Sequence, residues 1–383
     1  MKKNKFILLV AGFLLLVFSC RKNYNPPAIN INYNYLVVNG NLVSSSDSPS
    51  VITLSRTVRL TDTTSTFVSE PGATITAESN AGDKIPFTET APGSYVATPQ
   101  DLDYNKQYRL SVVTANGKTY QSDFVPVRQT PPIDSLSWEQ NNDVMIYAYT
   151  HDPANNTKYY RWDYVETYQY ESPLNAELSQ DSGRLFYVDN TPNQTYDCWR
   201  SVNSGNIIVG STSALGSDVI NKQPIATVIQ NTQQISIRYS ILVKQYAITN
   251  DCYNYLSVLK TNTENLGSIF DAQPTQLTGN FHNKNNPSEV VIGYFSASSV
   301  QQKRLFITKY QVSNWQFADT TIYCDTLFIG HPPLPDPGFF VWDYPDPRYD
   351  PFYFCGASCL AITKKECVDC RLRGGTNHKP SYW

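Results

Sequence analysis

Between Tyr35 and Val127, apolar and polar residues alternate in short bursts that are separated by turn-forming residues. Alternation with a period of two places apolar side chains on one face of a strand, so each burst predicts a half-buried β-strand. Examples are Ala73 to Ala77 (ATITA) and Tyr108 to Val113 (YRLSVV), and Asn116-Gly117 is the favoured hairpin dipeptide. Roughly seven strands in about 95 residues predict a β-sandwich.

The pattern Pro92-Gly93-Ser94-Tyr95, followed by Gly117-Lys118-Thr119-Tyr120, resembles the transthyretin-like and Ig-like modules that often begin exported proteins. We therefore predict an Ig-like β-sandwich over residues 33–129. Thr130-Pro131-Pro132 closes this domain, because proline fixes φ and biases the residue before it to extended geometry.

A larger β-rich domain is predicted over residues 130–330. Its segments are rich in β-branched and aromatic residues, and Ile235 to Ile248 (ISIRYSILVKQYAI) alternates well. One helix is predicted over residues 250–265, with Thr249 as its N-cap. The expected fold class is mainly β: the N-terminal sandwich, the larger domain with one short helix, and a disulfide-rich C-terminal tail over residues 331–383.

The first nineteen residues resemble a lipoprotein signal peptide. Three lysines within the first five residues precede an apolar run from Phe6 to Phe18. At about 1.5 Å per residue this run spans roughly 20 Å, short of the ~30 Å hydrocarbon core, and a transmembrane anchor is the alternative. Val17-Phe18-Ser19-Cys20 resembles a bacterial lipobox. We therefore predict that Cys20 is lipidated, that residues 20–32 form a tether, and that the protein faces either the periplasm or the cell surface.

Charged residues make up only 16 % of the 383-residue chain, and the net charge is −3. This composition argues against both a disordered acidic chain and a nucleic-acid-binding protein. The sequence lacks the motifs of phosphate-binding loops, dinucleotide-binding folds, zinc proteases and serine hydrolases. We predict no catalytic residue, no cofactor and no metal site. A glycosidase, which needs only two suitably separated carboxylates, is the enzymatic alternative.

Four cysteines of the tail lie within sixteen residues of one another: Cys355, Cys359, Cys367 and Cys370. Such spacing suits two disulfides, a tetrahedral zinc ion or free thiols. Because an exported chain meets an oxidising compartment, we predict two disulfides among these four. Cys252 lies in the predicted helix and is expected to be a buried free thiol, which leaves a bridge between Cys198 and Cys324.

The segment from His331 to Phe354 contains seven prolines and eight aromatic residues in 24 positions. So many prolines predict a long, stiffened loop rather than a helix or a central strand. Its aromatic side chains either plug the end of the β-domain or form an apolar binding patch. The candidate binding residues are Trp342, Tyr344, Tyr349, Phe352 and Tyr353.

Several blocks, in order along the chain, resemble one family. They include Ser240 to Tyr246 (SILVKQY), Gly267 to Pro274 (GSIFDAQP), Val291 to Phe295 (VIGYF) and Cys367 to Arg371 (CVDCR). These blocks are similar to the Bacteroidota lipoprotein family of domain of unknown function 4249. The resemblance implies an outer-membrane lipoprotein that is often encoded beside a TonB-dependent receptor, and it implies no established reaction.

Three functional hypotheses follow. The first is a non-enzymatic accessory or ligand-capturing partner of a TonB-dependent transporter, which suits the lipid anchor, the sandwich and the aromatic loop. The second is a structural or assembly component of the outer-membrane envelope, and the third is an enzyme that acts on glycan or peptide. We adopt the first, with the outer membrane and a β-barrel receptor as partners and with no nucleic acid.

The lipobox predicts that a Cys20→Ala variant is released from membranes. Acyl chains contribute about 0.8 kcal/mol per buried methylene, so loss of the acylated cysteine removes the anchor. Fractionation of cells that produce each form measures the effect. Mass spectrometry of the mature wild-type protein provides the check, since a chain that still carries residues 1–19 would contradict the prediction.

Overall fold

The computed structural model describes residues 34–58, 68–181, 184–187, 194–264, 279–318, 322–330, 349–356 and 359–383. The predicted signal peptide, Cys20 and the tether over residues 20–32 lie outside these ranges. The protein is mainly β, as predicted. The described residues include helix α1 (Asn250–Glu264) and the single turn α2 (Lys365–Val368).

The early part of the chain forms most of a first sandwich. Its strands are β1 (Leu36–Gly40), β2 (Leu42–Ser44), β3 (Ser50–Arg56), β4 (Val68–Ser69), β5 (Thr74–Ser79), β6 (Lys84–Ala91), β7 (Ser94–Ala97), β8 (Gln107–Val113), β9 (Thr119–Ser122) and β10 (Val125–Arg128). One sheet contains β1, β3, β4 and β7, and the other contains β5, β8, β9 and β10. Strand β6 turns the corner by pairing with both β5 and β7.

The alternation in the sequence places apolar side chains between the two sheets. Ile52, Tyr95, Leu110 and Tyr120 are fully buried there. Full burial of such a side chain contributes about 1.5–3 kcal/mol, so this interior layer is the main source of the sandwich's stability.

Residues from much later in the chain complete the first sandwich. They form β20 (Phe281–Asn283), which pairs with β9, and β21 (Val291–Ile292), which runs parallel to β1. The buried Asn280 side chain both donates to the Phe295 carbonyl (2.9 Å) and accepts from the Phe295 N–H (2.8 Å), which holds the intervening loop closed. The predicted segment 33–129 therefore supplies most of this sandwich, and residues after 280 supply the rest.

A second sandwich follows residues 129–132, which form the linker between the two sandwiches. Its strands are β11 (Ile133–Asn141), β12 (Asp143–His151), β13 (Tyr159–Glu171), β16 (Asp197–Asn203), β17 (Ile208–Ser211), β18 (Val219–Val228), β19 (Arg238–Ala247) and β22 (Ala297–Thr308), and a separate hairpin contains β14 (Leu178–Asp181) and β15 (Arg184–Tyr187). One sheet has the order β22, β19, β13, with β16 and β17 both on the far side of β13. The other has the order β11, β12, β18. Ile146, Trp162, Ile241 and Val243 are fully buried in the core of this sandwich.

A small third sheet lies near the C-terminus. It contains β23 (Leu327–Gly330), β24 (Tyr349–Gly356) and β25 (Cys359–Lys364), with β25 in the centre. Strand β24 corrects the prediction of a continuous loop through residue 354. It includes Pro351, and proline is tolerated because β24 is an edge strand of its sheet, where one side needs no ladder hydrogen bonds.

Helix α1 begins where the sequence predicts. The Cys252 N–H donates to the Thr249 side-chain oxygen (3.2 Å), so Thr249 satisfies one of the free donors of the first turn. Cys252 and Tyr255 are the buried residues of the helix. The described part of the helix extends to Glu264, and the predicted end at residue 265 lies outside the described residues.

Strand β22 joins the two sandwiches. Its first residues, Ala297 to Ser299, run parallel to β2 and β10 of the first sandwich. From Val300 onward the same strand runs antiparallel to β19 of the second sandwich. One continuous strand therefore belongs to both bodies.

Buried polar side chains hold the linker against β22 and β19. Thr130 donates from its side chain to the Ser299 carbonyl (2.6 Å) and accepts from the Ala247 N–H (2.9 Å). The fully buried Gln245 amide donates to the Pro131 carbonyl (2.9 Å) and accepts from the Trp162 indole N–H (2.8 Å). The predicted domain boundary is thus hydrogen-bonded into the second sandwich.

We expect Gln245→Leu to lower the free energy of unfolding by about 2–4 kcal/mol, because two buried groups, the Trp162 N–H and the Pro131 carbonyl, lose their partners. Urea unfolding measures the change. The matched control is Gln302→Leu at an exposed position of β22, which we expect to cost less than about 0.5 kcal/mol. Equal stabilities for the two variants would contradict the proposed role of Gln245.

Candidate functional site

A cleft of about 660 Å³ lies where the two sandwiches meet. Residues 127–132, which contain the end of β10 and the linker, form one wall, and loop residues of 152–157 form another. Gln301 of β22 also lines the cleft. The first wall therefore belongs to a segment that the shared strand and the linker hydrogen bonds hold in place.

The loop over residues 152–157 is built around the carboxylate of Asp152. This carboxylate accepts hydrogen bonds from the backbone N–H groups of Ala154 (3.0 Å), Asn156 (2.9 Å) and Thr157 (2.9 Å). Burial raises the pKa of Asp152, but the three N–H donors outweigh it and hold the pKa below its usual value. The charge of Asp152 is thus satisfied within its own loop.

Asp218 anchors this loop to the second sandwich. Its buried side chain accepts from the Tyr160 hydroxyl and from the Thr212 hydroxyl. Its backbone N–H donates to the Asn155 side chain (2.7 Å), and its carbonyl accepts from the Asp152 N–H (3.1 Å). Burial, reinforced by the Asp218 carboxylate, raises the pKa of Tyr160 well above its usual value, so this phenol remains a donor.

The polar groups of the cleft suit binding. Its lining residues include Arg128, whose side chain ends in a guanidinium, and Gln129, Asn156 and Gln301, whose side chains end in amides. Prolines 131, 132 and 153 add rigid apolar surface. Such a mixture of a few polar groups on a preformed wall is typical of ligand pockets, and the volume lies within their range of about 300–1,000 Å³.

Sequence reasoning did not identify this cleft. Thr130-Pro131-Pro132 predicts a domain boundary, but by itself this feature is only a loop signal. The one signal available was that each loop contains proline, Pro131 and Pro132 in the first and Pro153 in the second. That they face one cleft depends on the pairing of β22, which no local pattern indicates.

The predicted aromatic binding surface falls largely outside the described residues. Trp342 and Tyr344 lie there, and for Tyr349, Phe352 and Tyr353 the structure describes only the backbone of β24. Tyr349 is opposite Lys364, and Tyr353 is opposite Ala361 of the neighbouring strand. The binding role of these five residues stays a prediction.

The disulfide pairing differs from the prediction. Cys367 and Cys370 are both bridged, but Cys367 pairs with Cys324 and Cys370 pairs with Cys198. The predicted pairing within the tail and the predicted Cys198–Cys324 bridge are therefore wrong. The reason is that the tail packs beside β16: the Trp199 N–H of this strand donates to the Thr376 carbonyl (2.8 Å), and the Cys370 N–H donates to the Thr195 carbonyl just before the strand (2.9 Å), so Cys370 lies beside Cys198.

The other cysteines have separate outcomes. Cys252 is free and buried, as predicted. Burial raises the pKa of its thiol to about 11, which keeps the thiol protonated and unreactive at neutral pH. Cys355 and Cys359 lie in strands whose side chains are outside the described part of the structure, so their participation in disulfides stays a prediction.

The last residues of the chain cover the outer face of the β22–β19–β13 sheet. The Tyr382 and Thr167 hydroxyls share a hydrogen bond of 2.9 Å, and the Arg304 guanidinium lies 3.5 Å from the centre of the Tyr382 ring. Trp383 is held in the same way, with the Arg238 guanidinium 5.1 Å from its ring centre. Cation–π contacts of this kind contribute about 0.5–2 kcal/mol each, so the tail is part of the folded body.

No cluster of three or more His, Cys, Asp or Glu side chains within the described ranges is arranged to hold a metal ion. Among the same residues, no helix has the length and apolar character needed to cross a membrane.

The model of a family described as a domain of unknown function (DUF4249) matches residues 21–304. The chain belongs to this family. Every residue that lines the cleft lies within the matched span, whereas Cys324, Cys367 and Cys370 lie beyond it. The cleft is therefore part of the family domain.

Other comparisons add little. No curated protein matches the chain. Among solved structures, the adhesin InvE of Yersinia pseudotuberculosis is 14 % identical with a TM-score of 0.14, and the match covers 56 % of this chain and 57 % of that one. The chain thus spans little more than half of the InvE structure.

We expect the combined change Cys198→Ser and Cys370→Ser to lower the free energy of unfolding by about 2–5 kcal/mol, because the bridge closes a long loop of the unfolded chain. Urea unfolding measures this, with Cys252→Ala as a control that removes a thiol but no bridge. A non-reducing peptide map that links Cys367 to Cys370, or Cys198 to Cys324, would contradict the pairing described here.

Proposed function

We propose that the protein is a lipoprotein of the Bacteroidota outer membrane, anchored through Cys20, and that it captures ligands as a non-enzymatic accessory of a TonB-dependent transporter. The observation that carries this proposal is the preformed cleft between two sandwiches that share strand β22. Clefts between domains are preferred sites for small ligands. A cleft whose walls are already fixed binds with less loss of conformational entropy.

Two features of the sequence support the proposed membrane location and the proposed protein partner. The lipobox at Val17 to Cys20 supplies the membrane anchor, and the aromatic residues around Trp342 supply a surface suited to a protein partner. Rigid aromatic side chains lose little conformational entropy on contact and are common at the energetic centres of interfaces. In this proposal the cleft binds the ligand, and the aromatic segment contacts the β-barrel of the transporter.

Affinity purification of the native protein from outer membranes tests the proposal. We expect a large β-barrel transporter to co-purify with the wild-type chain. Trp342→Ala combined with Tyr344→Ala should weaken this co-purification while it leaves the melting temperature nearly unchanged.

The matched control removes two exposed aromatic side chains elsewhere, with Tyr310→Ala and Tyr323→Ala, at positions that are 89 % and 78 % exposed. This variant should still co-purify with the β-barrel transporter. Recovery of envelope-assembly proteins in place of a transporter would overturn the proposal in favour of a structural role. An unfolded Trp342/Tyr344 variant would assign those aromatics to the core.

A further inference from the structure

Arg128 is a positive charge on the wall of the cleft without a counter-charge. It is the last residue of β10, it is partly buried, and it lines the cleft. Within the part of the chain that the structure describes, its guanidinium makes no ion pair and no hydrogen bond.

The acidic groups close to the cleft are already engaged. Asp152 accepts three backbone N–H groups of its own loop. Asp134 accepts from the imidazole of His151 (2.8 Å). Neither carboxylate pairs with Arg128, so the guanidinium is available to an anionic ligand, and a carboxylate is the anion whose two oxygens match its planar fork.

The remaining polar lining consists of amides. In the described residues, the side chains of Gln129, Asn156 and Gln301 have no hydrogen-bond partner although all three line the cleft. Each amide offers both donors and an acceptor, which is what the N–H and C=O groups of a peptide backbone require.

The apolar lining suits peptide side chains better than sugar rings. Pro131, Pro132 and Pro153 give rigid aliphatic surface. The cleft lining, as far as the structure describes it, includes no aromatic ring on which a sugar could stack. These observations favour a peptide over an acidic oligosaccharide.

We propose that the cleft binds short peptides by their C-terminal carboxylate, with Arg128 as the bidentate partner of that carboxylate and the amides of Gln129, Asn156 and Gln301 as partners of the peptide backbone. This inference rests on the ligand-capturing role proposed above and names its ligand class. It concerns binding only, and no bond in the peptide is made or broken.

The test uses the full mature chain and a library of tetrapeptides that is randomised at the first three positions. One half of the library carries a free C-terminal carboxylate, and the other half is amidated. Peptides retained by the protein are identified by mass spectrometry, and the affinity of the best one is then measured by calorimetry. We expect retention of the free acids and at least a 10-fold weaker affinity for the matched amides.

Variants locate the binding site. Arg128→Gln should weaken the affinity for the best free-acid peptide by about 10-fold to 100-fold, the range expected for loss of charged hydrogen bonds. The affinity of Arg128→Lys should lie between those of the wild-type protein and of Arg128→Gln, because lysine keeps the positive charge but lacks the planar fork of N–H groups. Lys84→Gln, which removes one exposed positive charge from the first sandwich, is the matched control and should leave the affinity unchanged.

Several outcomes would overturn the inference. They are retention of no peptide by the wild-type protein, equal affinity for acids and amides, or an Arg128→Gln variant that binds as well as Lys84→Gln. Binding of trigalacturonate in place of peptides would assign the cleft to acidic sugars. The acid–amide comparison uses only wild-type protein, so it decides the matter even if a variant does not fold.

Failure of this inference and failure of the proposed function give different results. A transporter that co-purifies with a chain that retains no peptide rejects the peptide ligand and leaves the accessory role. Peptide retention through Arg128 without a co-purifying barrel rejects the transporter partnership and leaves the binding site.

Discussion

Strand β22 is hydrogen-bonded into both sandwiches, and the relative position of the two bodies depends on it. Its start runs parallel to β2 and β10, and its remainder runs antiparallel to β19. Side chains alternate along a strand, so a shift of one residue would turn every buried side chain of β22 to the wrong face. Both cores therefore oppose such a shift, and the junction behaves as a single rigid unit.

Buried hydrogen bonds at the linker add to this rigidity. Thr130 and Gln245 connect the linker to β22, β19 and Trp162, and each of these bonds lies where water cannot replace it. A satisfied polar network in the interior specifies one arrangement, because any other arrangement would leave polar groups unpaired. The walls of the cleft beside Arg128 are thus set before a ligand arrives, which is the physical basis of the proposed capture of ligands.

The C-terminal tail stabilises the second sandwich both in its core, where Cys370 is buried beside Cys198, and on its outer face. Two disulfides connect it to Cys198 and Cys324, and Tyr382 and Trp383 lie against Arg304 and Arg238. The tail therefore acts on the sheet that carries β22, although its cysteines lie beyond the span that matches the family. In the proposed function, the tail stabilises the fold, the cleft binds the ligand, and the aromatic segment binds the partner.

The sequence by itself determined the features that depend on near neighbours. Alternation with a period of two predicted the strands of the first sandwich, Asn116-Gly117 predicted the turn between β8 and β9, and the Thr249 side chain predicted the start of α1. Only the tertiary structure decided the features that depend on distant contacts. Residues after 280 complete the first sandwich, the edge position of β24 tolerates Pro351, and Cys198 meets Cys370 across 172 residues. The cleft belongs to the second group, because Arg128 and the loop of Asp152 meet only after β22 has paired with both sandwiches, and no local pattern records that pairing.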